Sequence, residues 1–340
     1  MTRTTRFGAA MLATATFVAL AGCSTTTTTG STDAKAPKGK AKIAFIMGAG
    51  STTGNAANKR GAEAAAKKLD ADLTVLDAAF SPQKQYSQFQ DAIASGKYNG
   101  IVIDGALDGA AIASLVPQAV SAGIKVGAAN LPIGTDYSSS KIQTKGVDVS
   151  VLTPFGRHGT LAGELTKSAC EGIDPCEVGY MYIKKGSPYD TAIKNNYDAA
   201  IKGSSVKIAG EANSETSAQG GAAAAQTMVT GNPGIDVLIG PEVSLLAAIP
   251  VLDKAKLDHP VKLIAFGGVE LSAQAVKDGK FFGVTANPTF DEGRLVIEKL
   301  VDVIENGGGP YGLDTVQEMK VPDNGKITAA NVDGWQISGS

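Results

Sequence analysis

Short apolar runs alternate along the chain with longer stretches whose apolar residues recur every three or four positions. Runs over 42–47 (KIAFIM), 72–76 (DLTVL), 100–104 (GIVID) and 125–128 (KVGA) predict strands, with helical patterns over 56–69, 82–95 and 110–122 between them. Consecutive strand starts fall 30, 28 and 25 residues apart, the length of a βαβ unit. A helical segment over 153–169 follows, and the pattern then restarts. Strands are predicted over 177–182, 206–209, 236–240, 262–266 and 282–286. Helices are predicted over 192–202, 217–230, 244–256, 271–278 and 291–305. Pro250 falls inside one of them, where a kink is expected. Strands apolar on both faces fit buried parallel sheets. The expectation is therefore an α/β chain of two doubly wound parallel-sheet lobes. Ligands in such sheets sit at the carboxyl ends of strands, so the loops after the strands are the place to look.

The chain has 340 residues, 43% hydrophobic and 19% charged, enough for a large core and for two domains. A net charge of −2 excludes the basic surface of a nucleic-acid binder. The 41 glycines exceed the usual share of about 7% and predict tight turns and close backbone approaches. Arg3 and Arg6 precede an uncharged run from Phe7 to Leu20, too short for a comfortable membrane span but suited to a signal peptide over 1–22. Leu20-Ala21-Gly22-Cys23 resembles the lipobox of bacterial lipoproteins, which implies lipidation of Cys23 and anchoring to the membrane. Residues 23–41, rich in Ser, Thr and Lys, read as a flexible tether. With Cys23 lipidated, Cys170 and Cys176 remain. They bracket a short polar turn and read as a local disulfide in an oxidising compartment. A zinc site would need two further ligands that the neighbouring sequence lacks, and no metal or cofactor is expected.

The loop Gly48-Ala49-Gly50-Ser51-Thr52-Thr53-Gly54 follows the first predicted strand. It departs from a dinucleotide fingerprint by one late glycine, and Asn55 stands where a phosphate-loop lysine would be needed. Glycine and hydroxyl residues before a helix still present free N–H groups to a ligand. His158 and His259 lie far apart, and no G-x-S-x-G elbow occurs. Asp291-Glu292 and the Glu298/Asp302 pair read as solvated charge on a helix. No catalytic constellation emerges, so the chain is not expected to be an enzyme.

Several segments, in order, resemble the type I, ribose-binding-like solute-binding lipoproteins of ABC sugar importers. They are KIAFIMGAG, FSPQKQYSQFQDAIASGKYNGIVIDGALDGA, AVSAGIKVGAAN, GVDVSVLTPFGRHGTLAGEL and LIAFGGVELSAQAVKDGKFFGVTANP. The resemblance covers residues 42 to about 312. It implies two lobes closing on a ligand about three hinge strands, near 146–149, 287–288 and 309–312. The first lobe would comprise 42–147 plus 288–310 and the second 148–287 plus 311–340. It also implies an exported, monomeric carrier anchored at the outer face of the cell membrane, with ABC permease subunits as partners. The rival implication is a lipoprotein that reports its ligand to a signalling receptor.

Carried over position by position, the family's site is altered. The first loop keeps Ser51, Thr52 and Asn55 but lacks stacking aromatics. The asparagine that ends the family's third strand is Asp104, and the sugar-clasping aspartate is Asn130, followed by Leu131 in place of arginine. A further arginine falls on Thr191 or Ile193, an Asn-Asp pair on Pro241-Glu242, and the aspartate of F-D-G on Gly267. The amide of the Q-N-P motif survives as Asn287, and Tyr189 offers a replacement ring. The expected ligand-binding residues are therefore Ser51, Thr52, Asn55, Asp104, Asn130, Tyr189, Glu242 and Asn287. Without the arginines a carboxylate or phosphate ligand is disfavoured. A sugar, a polyol or an amine-bearing ligand would supply the donors these groups need.

Overall fold

The computed structural model describes residues 39–339. The expected signal peptide, most of the tether and the lipidation site at Cys23 lie outside the described residues. Among those residues no helix is long and apolar enough to cross a membrane.

The first sheet is built from β1 (Lys42–Met47), β2 (Asp72–Asp77), β3 (Gly100–Asp104), β4 (Lys125–Ala129) and β5 (Val149–Leu152), joined by β11 (Tyr311–Asp314). Its order is β11-β5-β4-β3-β1-β2, all parallel. The second sheet holds β6 (Cys176–Tyr182), β7 (Val206–Asn213), β8 (Val237–Pro241), β9 (Lys262–Gly268), β10 (Gly283–Ala286) and β12 (Lys326–Thr328). Its order is β12-β10-β9-β8-β6-β7, parallel except for β12 on β10. Each sheet is buried on both faces, as the unbroken apolar runs require. In the first, Phe45 and Val102 face one core and Ile46 and Ile103 the other. In the second, Tyr180 and Ile239 face one core, Met181 and Leu238 the opposite one.

Helices α1 (Thr53–Lys68), α2 (Pro82–Ala94), α3 (Gly109–Ser121) and α9 (Thr289–Asn306) cover the first sheet. Helices α4 (Phe155–Ala169), α5 (Pro188–Ile201), α6 (Ala218–Gly231), α7 (Glu242–Ala255) and α8 (Glu270–Lys277) cover the second, and α10 (Thr315–Glu318) follows β11. Side chains set several starts: Thr52, Ser81, Asp108, Ser187 and Ser217 each accept a backbone N–H of the first turn. Pro82 and Pro188 add the fixed φ that suits a first helical position. Cys170, which caps α4, is bonded to Cys176 at the start of β6, Cα to Cα 5.7 Å.

The chain passes between the sheets at residues 153–154, 287–288 and 314–315. The first and third passages lie beyond the expected 146–149 and 309–312. The cause is pairing: β5 and β11 lie side by side in the first sheet, with Val149 opposite Tyr311 and Leu152 opposite Asp314. Residues 148–152 and 311–314 therefore belong with the first lobe rather than the second.

Candidate functional site

The carboxyl edge of the first sheet is level. Met47, Asp104, Ala129 and Val151 stand opposite one another across β1, β3, β4 and β5. The loops that follow approach closely: Gly48 N–H donates to Asp104 O at 2.7 Å, and a Cβ on Gly48 would lie 2.6 Å from Gly105 O. Asn130 turns the chain after β4 in the left-handed region at φ 65°, which asparagine tolerates. Its Nδ2 donates to Asn55 Oδ1 at 3.0 Å, and Asn55 Nδ2 donates to Ala49 O at 2.5 Å. The structure thus joins the predicted Asn55 and Asn130 directly, next to Asp104. Thr52 is the N-cap of α1, its Oγ1 accepting from Asn55 N at 3.2 Å, and Ser51 is exposed.

Asp104 is fully buried, and neither of its carboxyl oxygens has a hydrogen-bond partner among the described residues. Burial pushes its pKa well above the usual carboxylate range. A second buried acid, Glu292, lies in the first turn of α9. Its Oε1 accepts Thr153 N at 2.7 Å and its Oε2 has no partner. Burial, with Asp104 and Asp314 nearby adding repulsion, raises its pKa to about 8. The reading of Asp291-Glu292 as solvated charge is therefore corrected: both are buried, Asp291 holding Arg294 at 2.8 Å. The signal was present in the spacing. Glu292 precedes Val296 by four residues and Leu300 by eight, on the stripe that faces the sheet.

Asn287 sits at the second passage. Its backbone N–H donates to Gly268 O at 2.9 Å, while its buried Oδ1 has no partner. Its side chain lines a crevice between the lobes, with Thr53 of α1, Thr289 and Phe290 of α9, Val269 and Trp335. On the second lobe, Glu242 opens α7. Its Oε2 accepts Val269 N at 3.2 Å and the Ser272 hydroxyl, so the carboxylate ties α7 to the start of α8. Burial raises its pKa and those two donors oppose the shift. Of the eight expected ligand residues only Asn287 lines this crevice; Ser51, Thr52, Asn55, Asp104, Asn130, Glu242 and Tyr189 do not, Tyr189 lying at the start of α5 with its ring 5.9 Å from Phe155. Tyr137 of the first lobe lies close enough to feel it. The sequence analysis did not single out Tyr137, Phe155 or Trp335. His158 is neutral near physiological pH: burial lowers its pKa to about 3, and Nδ1 lies 2.7 Å from Thr285 Oγ1.

Residues 43–308 match the periplasmic binding protein domain. The chain belongs to the periplasmic binding protein family. Solved structures with the same fold include a solute-binding protein from Burkholderia graminis C4D1M in complex with D-arabinose, at 18% identity and TM-score 0.73, covering 88% of this chain and 99% of that one. Another, from Actinobacillus succinogenes 130z with bound D-allose, has 19% identity and TM-score 0.72 over 87% of this chain and 100% of that one. A carbohydrate transporter from Acidothermus cellulolyticus 11B in complex with myo-inositol has 22% identity and TM-score 0.70 over 87% and 96%. No protein of curated function matches the chain.

Proposed function

We propose that this protein is an exported solute-binding lipoprotein, anchored through Cys23, that captures a sugar or polyol between its lobes. It delivers that ligand to the permease subunits of an ABC importer, as a monomer, with no cofactor and no chemical step. The observation that carries the reading is the crevice itself. Asn287 and Thr289 line it, and each carries a buried oxygen without a partner among the described residues, Oδ1 and Oγ1. A buried polar atom without a partner is costly, and a ligand hydroxyl removes that cost. The relatives solved with arabinose, allose and inositol support a ligand of that class. In this reading Ser51, Thr52, Asn55, Asp104 and Asn130 contribute from the first lobe, Tyr189 and Glu242 from the second, and Asn287 from the hinge. A thermal-shift screen against pentoses, hexoses, inositols, amino acids and amines tests it, because a ligand raises stability by RT ln(1 + [L]/Kd). A sugar or polyol is the expected hit. Asn287→Ala should weaken that hit by about 5-fold or more, as loss of a buried hydrogen-bond partner worth ~1–3 kcal/mol implies. A hit confined to amino acids, or an unaffected variant, would count against the reading. Anchoring is tested separately: Cys23→Ala should move the protein from the membrane fraction to the soluble exported fraction, and unchanged fractionation would refute it.

A further inference from the structure

Three parts of the chain meet at the crevice that Asn287 lines. Thr53, Ala57 and Arg60 of α1 and Phe290 of α9 belong to the first lobe, and Val269 and Leu271, at the start of α8, to the second. The third part is the segment Trp335–Gly339, every residue of which lines the same crevice. Its near end is rooted in the second lobe. After β12 the chain makes the short turn Val332–Gly334, where Asp333 pairs with Lys277 of α8 at 3.0 Å. Val332 and Trp335 are buried in the core that α6, α7 and α8 share, and Ile337 packs on it. The far end is seated on the first lobe. A Cβ on Gly339 would lie 2.2 Å from Cδ2 and 2.6 Å from Cγ of Phe290, so the backbone lies flat on that ring. Gly339 is also in the left-handed region, at φ 78°, which glycine adopts without strain. Phe290 is itself locked to α1: a Cβ on Gly61 would lie 1.9 Å from its carbonyl oxygen. Among the described residues no backbone–backbone hydrogen bond holds 336–339. The seat on Phe290 is thus a packing contact, and it can part.

We propose that Trp335–Gly339 is a strap that spans the crevice from the second lobe to the first and sets how far the crevice stands open in the unliganded protein. The proposal rests on the reading of the two lobes as a clamp and adds a regulating part to it. A contact shared by two moving bodies favours only the arrangement in which both surfaces meet. The strap therefore stabilises the shut form and contributes nothing to the open one. It moves part of the unliganded population toward the shut form and leaves a ligand to complete the closure. Gly339 is the position where this device is most easily broken, since any side chain there collides with the Phe290 ring.

Small-angle scattering of the unliganded intact protein, beside two variants, tests the strap. One variant carries a stop after Trp335, which removes the span and keeps the anchoring ring. The other is Gly339→Val, which keeps the span and removes its seat, and it decides the matter if the shortened chain does not fold. Both are expected to show a larger radius of gyration than the intact protein. Trp335, 7% exposed, is the single tryptophan of the chain and stands in the crevice wall, so acrylamide should quench it more strongly in both variants. An unchanged radius, or a larger radius with quenching unaltered, would overturn the strap. D-arabinose, D-allose and myo-inositol added to the intact protein test the sugar reading separately. Enlarged variants with none of the three sugars bound would count against that reading and leave the strap in place.

Discussion

Glu292 shows how far one side chain can depart from its residue type. A carboxylate in the first turn of a helix is favoured by the dipole and ordinarily solvated. Here the turn is pressed between α1 and the sheet, and the group is fully buried. Its ordinary pKa of 4.5 rises to about 8 in the folded chain. The native state thus holds a proton that the unfolded chain has shed, so its contribution is complete below about 4.5 and is lost as pH rises through about 8. The urea midpoint should fall between pH 5 and pH 8, and the fall should be shallower in Glu292→Gln. A midpoint that climbs over that window, or an unchanged slope in the variant, would contradict the burial argument. Other site residues are committed locally. Thr52 closes the first turn of α1, and Glu242 holds the start of α8. Residue type suggested ligand contacts for both, while the hydrogen bonds show structural partners already in place.

At the scale of elements, the high glycine content resolves into specific crossings. A Cβ on Gly293 of α9 would lie 1.9 Å from Asn58 O of α1, and one on Gly159 of α4 would lie 2.0 Å from Ile193 O of α5. Helix pairs in both lobes are therefore in backbone contact at small residues, α6 and α7 included, where a Cβ on Gly221 would lie 2.4 Å from Ser244 O. Gly293→Ala and Gly159→Ala should each destabilise by roughly 1–3 kcal/mol, the usual range for overpacking, measured by denaturant unfolding. Wild-type stability in both would show that the helices can separate freely. Composition foretold close approaches without placing them, because which glycine faces which carbonyl is decided by packing. Nine strands were legible from short β-branched or apolar runs between helical patterns, four-residue β10 among them. The periodicity did not show β5, β11 and β12, which carry Ser150, Gly312 and Lys326; β5 and β11 entered only as hinge strands that the resemblance implied. Their pairing is set by distant segments, and that is why the hinge was expected several residues early. The amides Asn55 and Asn130 were singled out through the family resemblance, while their hydrogen bond to each other is set by packing. Glu292 needed the helix's burial stripe to be followed back to its first turn.

Among the described residues, two sheets are joined by three passages: after β5, after β10 and after β11. Two of them carry proline, Thr153-Pro154 and Asn287-Pro288, which narrows the backbone freedom available to a swing. The ion pair of Arg157 on α4 with Asp314 at the end of β11 ties the lobes beside these passages. The clamp motion that the proposed function requires would be a rotation about these passages, opening and shutting the crevice that Asn287 lines. A ligand that bonds to both walls can favour the shut form only by binding it better than the open one. Small-angle scattering should therefore show the radius of gyration fall when the screened ligand saturates the protein, with half-maximal change at the Kd found by calorimetry. Asn287→Ala should displace that midpoint to higher ligand concentration without altering the end state, since it removes a contact and leaves the passages intact. Saturation by a tight ligand with no change in radius would mean that the lobes are already shut before binding. The crevice would then work as a preformed pocket rather than a clamp.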